Sequence, residues 1–286
     1  LSSIRTCRAH SEIPIIHQSR IESVVEVNRE IYGKPEGLRI TEEEKKIGEL
    51  IAENLVEDGS TLQLGIGAIP DSTLLAMKNH KDLGIHTELL SDGVMDLIEK
   101  GVINNSRKSV LPGKAVTSFA FGTQKFYKFL DNNPLIHFDC CSWTNDEGVI
   151  QANSKMTCIN SGIEVDITGQ VVADSIGEMF YSGFGGQVQF INAAATAHDG
   201  KGKAIIAMTS RTNKGKSKIT TTLTEGSGVV TTRGHIRYVV TEHGIASLGG
   251  KNVRQRAHAL IRIAHPDARE RLEKEAFERL KCMPSP

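Results

Sequence analysis

Aromatic side chains are scarce in this 286-residue sequence, at 5% with a single Trp. No run approaches the roughly 18 consecutive apolar residues that a membrane-spanning helix needs. An excess of one charge is also missing: 34 Lys and Arg face 34 Asp and Glu, and the formal net charge is zero. No global field therefore marks a nucleic acid or a membrane as partner. The five cysteines, at 7, 140, 141, 158 and 282, are odd in number and form no C-x-x-C pair. That excludes a readable disulfide framework or zinc knuckle. We expect reduced thiols in a soluble intracellular protein of the cytoplasm or the mitochondrial matrix. The ten histidines make no H-E-x-x-H or other compact ligand set, so no metal is expected, and no G-x-S-x-G elbow is present. Residues Leu1 to Cys7 lack an initiator Met and an apolar signal core, so we expect a fragment or a processed product.

What is present is ordinary for a globular protein: 39% hydrophobic and 24% charged residues, in a chain long enough to bury a proper core. Residues 1–40 carry one apolar patch, Ile13-Pro-Ile-Ile, and end in a connector at Gly33–Gly37. Thr41-x-x-Glu44 predicts a capping box, and Ile47, Ile51 and Leu55 then share one helical face up to Asp58-Gly59. Strands are predicted at 61–64, 85–90, 114–121, 158–165, 204–208, 229–232 and 238–241. Helices are predicted at 71–78, 93–100, 126–130, 254–263 and 266–280. Strands alternating with helices predict an α/β protein with a mostly parallel sheet flanked by helices. The segment 196–218, rich in Gly, Lys and Thr around one apolar strand, is expected to supply exposed loops.

Four stretches are candidates for chemistry, each with a structural alternative. Gly65-x-Gly67-x-x-Pro70 resembles a dinucleotide fingerprint, but Pro replaces its third glycine; it is either a tight turn or an anion contact at a helix start. In Ile159-Asn-Ser-Gly-Ile-Glu164-Val-Asp166, strand periodicity puts two carboxylates on one face. Buried, they must shift a pKa or recruit donors; at a strand end, they simply meet solvent. Three glycines in Gly183-Phe-Gly185-Gly186 permit close approach of a ligand, or form a bulged turn. Thr241-Glu-His-Gly244 is a strand end entering a glycine turn.

Together these stretches resemble the acetyl-CoA hydrolase/transferase family of class I CoA-transferases, most closely its 4-hydroxybutyrate CoA-transferases. The match runs from about residue 12 to 280. It takes in Leu64–Pro70, His86–Gly93, Asn160–Gln170, Ser182–Gln187, Val240–Gly244, Arg256–Ile261 and Ile263–Pro266, in the family's order. Gln189 and Gly249 depart from it, where the family usually has Asp and a basic residue. The resemblance implies the CoA-transferase (NagB/RpiA-like) fold. Residues 1–40 are then the remnant of an N-terminal domain and its connector, and residues 41–286 a C-terminal domain carrying the active glutamate.

By motif that glutamate is Glu164, the nucleophile, and the Gly244 amide is an oxyanion donor. The resemblance further implies coenzyme A binding around Cys141, Ser142, Trp143, Thr144 and Asn145, with the Gly183, Gly185, Gly186 and Gln187 loop beside the thioester. It implies acyl-CoA and small carboxylates as partners, with no cofactor beyond coenzyme A as substrate. A homo-oligomer, or pairing with the missing N-terminal half, is expected. The implied reaction moves coenzyme A between short-chain acids of the acetate, butyrate or 4-hydroxybutyrate type by a ping-pong route. Acyl-CoA hydrolysis on the same scaffold, and a truncated non-catalytic coenzyme A-binding subunit, are the alternatives.

Overall fold

Local signals start the fold where the sequence predicts. The computed structural model describes residues 17–34 and 40–286, so the Ile13–Ile16 patch, Cys7 and part of the 33–37 connector lie outside the described residues. Thr41 caps helix α1 (Glu42–Leu55): its hydroxyl accepts from the Glu44 amide at 3.3 Å while its own amide donates to the Glu44 carboxylate at 2.8 Å. Ile47, Ile51 and Leu55 form the buried stripe of α1. Strand β1 (Thr61–Leu64) leads through Gly65–Gly67 into α2 (Ala68–Ala76). At Gly48, an added Cβ would stand 2.2 Å from the Ser72 hydroxyl and 2.8 Å from the Thr73 amide, so a glycine there lets α1 lie directly on α2.

The chain continues with β2 (Gly84–Ile85), β3 (Leu89–Leu90), α3 (Asp92–Glu99), β4 (Ala115–Thr117), β5 (Phe119–Ala120), α4 (Gln124–Leu130), β6 (Ile136–Phe138), α5 (Cys141–Thr144) and α6 (Glu147–Gln151). Then come β7 (Met156–Ser161), β8 (Glu164–Asp166), β9 (Val171–Val172), β10 (Ser175–Ile176), β11 (Met179–Phe180) and α7 (Gln187–Ala195). The last elements are β12 (Lys203–Ala207), β13 (Ile219–Thr220), β14 (Tyr238–Thr241), β15 (Gly244–Ser247), α8 (Val253–Ile263) and α9 (Pro266–Leu280).

The main sheet has the order β15-β14-β12-β7-β1-β2, parallel throughout except for the β14–β15 hairpin at its edge. Its inner strands are buried because helices cover both faces, and β12 accordingly carries the unbroken apolar run Ala204–Ala207. Ile205, Ala207, Ile159 and Val240 join α1, α2, α3 and α4 in one core, while Ala204, Ile206, Cys158 and Val239 join α7, α8 and α9 in the other. Alternation along each strand therefore feeds two cores rather than one core and solvent.

Several element boundaries differ from the sequence reading. The predicted strand 85–90 is two strands in different sheets, and 114–121 is likewise split into β4 and β5. The predicted strand 158–165 breaks at Gly162–Ile163, so β7 stays in the main sheet and β8 pairs with β9 and β13. Residues 229–232 make only one bridge, Val171 to Thr231. Helix α7 was not anticipated: its apolar run Phe190, Ile191, Ala193 and Ala194 has helical spacing but follows a glycine-rich stretch that reads as loop.

Candidate active site

Parallel strands leave their C-terminal ends on one edge, where α/β sheets collect ligands. Leu64, Ser161, Ala207 and Thr241 end four adjacent strands there. The chain beyond them passes through Gly65–Gly67, through Gly162 and Ile163 into Glu164, through Ser210, and through Glu242 and His243 into Gly244. The helix start after Gly67 is real, with Gly67 at φ +124° as the N-cap of α2.

Gly162 lets the chain leave β7 over its neighbour: a Cβ there would meet Ile206 Cγ2 at 3.0 Å and Val171 Cγ1 at 3.2 Å. The chain then enters β8, where Glu164 is 8% exposed and Asp166 1%. Both carboxylates are buried, and they are satisfied by different partners. Glu164 Oε1 accepts from the Thr220 hydroxyl at 2.9 Å and the Thr224 amide at 3.1 Å; its Oε2 accepts from the Thr224 hydroxyl at 2.8 Å. Asp166 Oδ1 accepts from the Thr168 amide at 2.9 Å, the Thr168 hydroxyl at 2.6 Å and the Gln170 amide at 3.0 Å. Its Oδ2 accepts from Gln170 Nε2 at 2.9 Å and lies 3.4 Å from Arg279 Nη1. Burial opposes ionisation of Asp166, yet the donors of Thr168 and Gln170 outweigh it and hold its pKa below the usual carboxylate value. Asp166 organises the turn after β8, while Glu164 is held by a separate segment, 220–224.

A third buried carboxylate stands beside Gly244. Glu242 accepts from the Ser210 amide at 2.8 Å and the Ser210 hydroxyl at 2.5 Å. Burial works against its charge, but the Ser210 donors prevail and lower its pKa. The Ser210 carbonyl accepts from the Lys218 amide at 2.9 Å, and the Lys218 carbonyl from the Val165 amide at 2.9 Å. A backbone relay thus ties the Glu242 turn to the strand of Glu164. Gly244 itself sits at φ +137°, opposite Thr241 in the β14–β15 hairpin, a conformation that favours glycine.

Of the segment predicted to bind coenzyme A, Cys141–Thr144 form α5 and Asn145 is its C-cap; Cys141 and Ser142 are exposed and Thr144 is buried. The segment is pinned from below by His86, whose Nε2 lies 2.8 Å from the Thr144 carbonyl and whose ring is 6.0 Å from that of Trp143. Because the acceptor is a carbonyl, Nε2 carries the proton. Burial pulls the His86 pKa down to about 4, so the ring stays neutral at physiological pH. Gly186 comes to the same place: a Cβ on it would fall 2.0 Å from Glu88 Oε2 and 2.8 Å from Asn145 Nδ2. Gly183 and Gly185 face open space, with Gly185 at φ +58°. Gln187 starts α7 and donates to the Thr231 hydroxyl at 3.2 Å, on the strip that pairs with β9.

The structure thus brings Asn145 and Gly186 together around Glu88. It joins Glu164 to Thr220 and Thr224, and the Gly244 turn to Ser210. Thr220, Thr224, Ser210 and Glu88 escaped the sequence reading. The β-branched run Ile219-Thr-Thr-Thr was a usable strand signal, but nothing local reports a contact across 56 residues. Ser210 and Ser217, in the segment expected to be exposed, are buried. A cavity of about 320 Å³, lined in part by Arg237, Tyr238, Gly249 and Gly250, lies at the opposite end of the sheet, where β12 and β14 begin. Among the described residues, no group of three or more His, Cys, Asp or Glu could hold a metal ion, and no helix is long and apolar enough to cross a membrane.

Comparison with known proteins shows the family. Residues 122–276 match the model of the acetyl-CoA hydrolase/transferase C-terminal domain. The chain is 60% identical to a succinyl-CoA:acetate/propanoyl-CoA:succinate CoA transferase of Fasciola hepatica, over 86% of this chain and 52% of that protein. It is 49% identical to a 4-hydroxybutyrate coenzyme A transferase of Clostridium kluyveri, over 92% of this chain and 61% of that one. The crystal structure of RipA from Yersinia pestis superposes with a TM-score of 0.85 at 35% identity, covering 93% of this chain and 59% of that chain. The chain therefore spans between about half and three fifths of the length of these relatives. On its sequence and its mostly parallel α/β fold, the chain belongs to the acetyl-CoA hydrolase/transferase family, whose C-terminal domain it contains.

Proposed function

We propose that the protein transfers coenzyme A between a short-chain acyl-CoA and a carboxylate, with Glu164 as the nucleophile. One observation carries the reading: Glu164 is a buried carboxylate at the C-terminal edge of the sheet, held by three donors and by no cation among the described residues. An ionised carboxylate carries no proton to remove, so as a nucleophile it needs no helper base. It attacks the thioester carbonyl, expels coenzyme A thiolate and leaves a mixed anhydride. The thiolate then attacks the glutamyl carbonyl, the first acid departs, and glutamyl-CoA remains. An incoming carboxylate runs the same steps backwards and leaves as the new acyl-CoA.

The remaining assignments belong to this proposal. The Gly244 amide serves as an oxyanion donor. Cys141, Ser142, Trp143, Thr144 and Asn145, with Gly183, Gly185, Gly186 and Gln187, form the coenzyme A-binding wall, which the meeting of Gly186 and Asn145 supports. Residues 1–40 are the end of an N-terminal domain and connector, and 41–286 the catalytic domain. The Lys34–Asp71 ion pair at 2.9 Å and the Gln124 contact with the Ile31 carbonyl support that connection. The enzyme works with an N-terminal half or as a homo-oligomer, and uses coenzyme A as substrate without a metal.

The test incubates full-length protein with acetyl-CoA or butyryl-CoA and maps adducts by peptide mass spectrometry. A coenzyme A-sized adduct on Glu164 that disappears in Glu164→Gln is the expected result. An adduct elsewhere, or turnover retained by Glu164→Gln, refutes the assignment. Thioester cleavage without an added acceptor acid identifies a hydrolase on the same site.

A further inference from the structure

The two oxygens of Glu164 are held differently. Oε1 has two donors, the Thr220 hydroxyl at 2.9 Å and the Thr224 amide at 3.1 Å, whereas Oε2 has one, the Thr224 hydroxyl at 2.8 Å. The Thr224 donor is a backbone amide, and the Thr220 hydroxyl, which also lies 3.5 Å from the Val165 carbonyl, is carried by a strand of fixed register. Thr220 lies on β13, whose register against β8 is set by the Val165 amide on the Lys218 carbonyl at 2.9 Å and the Ile167 amide on the Thr220 carbonyl at 2.8 Å. Thr224 opens a turn closed by the Ser227 amide on its carbonyl at 3.1 Å. Donors that need no reorganisation are the kind that stabilise developing charge.

We propose that Thr220 Oγ1 and the Thr224 amide form the oxyanion site for the glutamyl carbonyl of Glu164, with Oε1 the retained oxygen and the Oε2 position the one through which acyl groups enter and leave. The inference rests on the reading of Glu164 as nucleophile. When coenzyme A thiolate attacks the mixed anhydride, a bond forms between sulfur and Cδ, and the carbonyl π pair moves onto Oε1. Collapse restores the carbonyl, breaks the Cδ–Oε2 bond and releases the acid, which carries Oε2 away. Attack by the next carboxylate on glutamyl-CoA returns the charge to Oε1 and expels the thiolate. Every tetrahedral species at Cδ therefore carries its charge at the position with two donors. The Thr224 hydroxyl, on the exchanging oxygen, aims that oxygen at the incoming acyl group. Thr220 is on this view a catalytic residue, since it touches a reacting atom.

The test isolates the step at Cδ. Full-length protein is converted to glutamyl-CoA with acetyl-CoA, freed of excess thioester and treated with hydroxylamine, and the hydroxamate at Glu164 is followed by peptide mass spectrometry. Thr220→Val, which keeps the shape, is expected to slow this cleavage on the order of 10²-fold, the loss typical of one oxyanion donor. Thr220→Ser restores it, and Thr220→Ala serves if the valine variant does not fold. Thr224→Val keeps the amide, so it slows formation of the adduct far more than its cleavage. Wild-type cleavage rates in both Thr220→Val and Thr220→Ala, or equal losses in the Thr220 and Thr224 variants, overturn the assignment while leaving Glu164 as nucleophile. Absence of any adduct in the wild type removes the nucleophile and the oxyanion site together.

Discussion

Asp166 offers a quantitative test of how the site is built. Its side chain is 1% exposed on the acidic group and takes three donors on Oδ1 and two on Oδ2. Replacing it by Asn keeps an acceptor for Thr168 and the Gln170 amide, but turns an NH₂ towards Gln170 Nε2 and Arg279. The Gln170 amide can flip to accept, so the net loss is about one hydrogen bond to a charged group, roughly 2 kcal/mol. Asp166→Ala instead strips the acceptor from two backbone amides and three side-chain donors. At about 1–3 kcal/mol for each buried group left unpaired, the two amides alone set the scale, and we expect a loss of about 4 kcal/mol. With an unfolding entropy of about 2.1 cal/mol/K per residue, such a loss in a chain of this size lowers Tm by about 7 °C. The pH dependence has a definite sign. Asp166 ionises more readily folded than unfolded, so its stabilisation is present above the ordinary Asp pKa and is lost as pH falls through the lower folded value. Urea unfolding of wild type, Asp166→Asn and Asp166→Ala at neutral and acid pH measures all of this. An alanine variant within about 0.5 kcal/mol of wild type, the range of ordinary surface changes, refutes the argument.

Two further perturbations follow from the packing. Gly186→Ala places a Cβ against Glu88 and Asn145 and forces them aside; we expect KM for acyl-CoA to rise more than kcat falls, and an unchanged KM refutes the proposed coenzyme A wall. Lys108 is buried, donates to the Ile85 and Lys114 carbonyls at 2.7 Å each, and burial pulls its pKa to about 7. Between that pH and the ordinary lysine value of 10.5, the unfolded chain binds the extra proton, so stability rises with pH across this window. Lys108→Met should flatten that rise in urea midpoints, and an identical slope in both proteins refutes it.

Much of the scaffold was legible because its signals are local. The Thr41–Glu44 box, the Ile47–Ile51–Leu55 stripe and Pro266 at the start of α9 each act within a turn or two of helix. The continuous apolar runs at 204–208 and 238–240 identify strands buried on both faces. What failed was also local in cause. Gly162 and Ile163 read as the continuation of a strand, because a glycine in an apolar run does not say whether the chain goes straight or turns. The glycines before α7 concealed a helix for the same reason.

The sequence by itself determined the α/β class, the capped helices α1, α8 and α9 and, through motif order, Glu164 as the residue to examine, since periodicity, capping and motif order are properties of neighbouring residues. Only the tertiary structure decided what that glutamate meets. Thr220 and Thr224 lie 56 and 60 residues further on, Arg279 lies 113 residues from Asp166, and Gly186 meets Asn145 through α7 and α5. Those pairings follow from strand order and from the break after β7, which moves β8 out of the main sheet and onto β13. Side-chain chemistry names the candidates, but burial and hydrogen-bond partners depend on which strands become neighbours, and that choice is made by both cores at once.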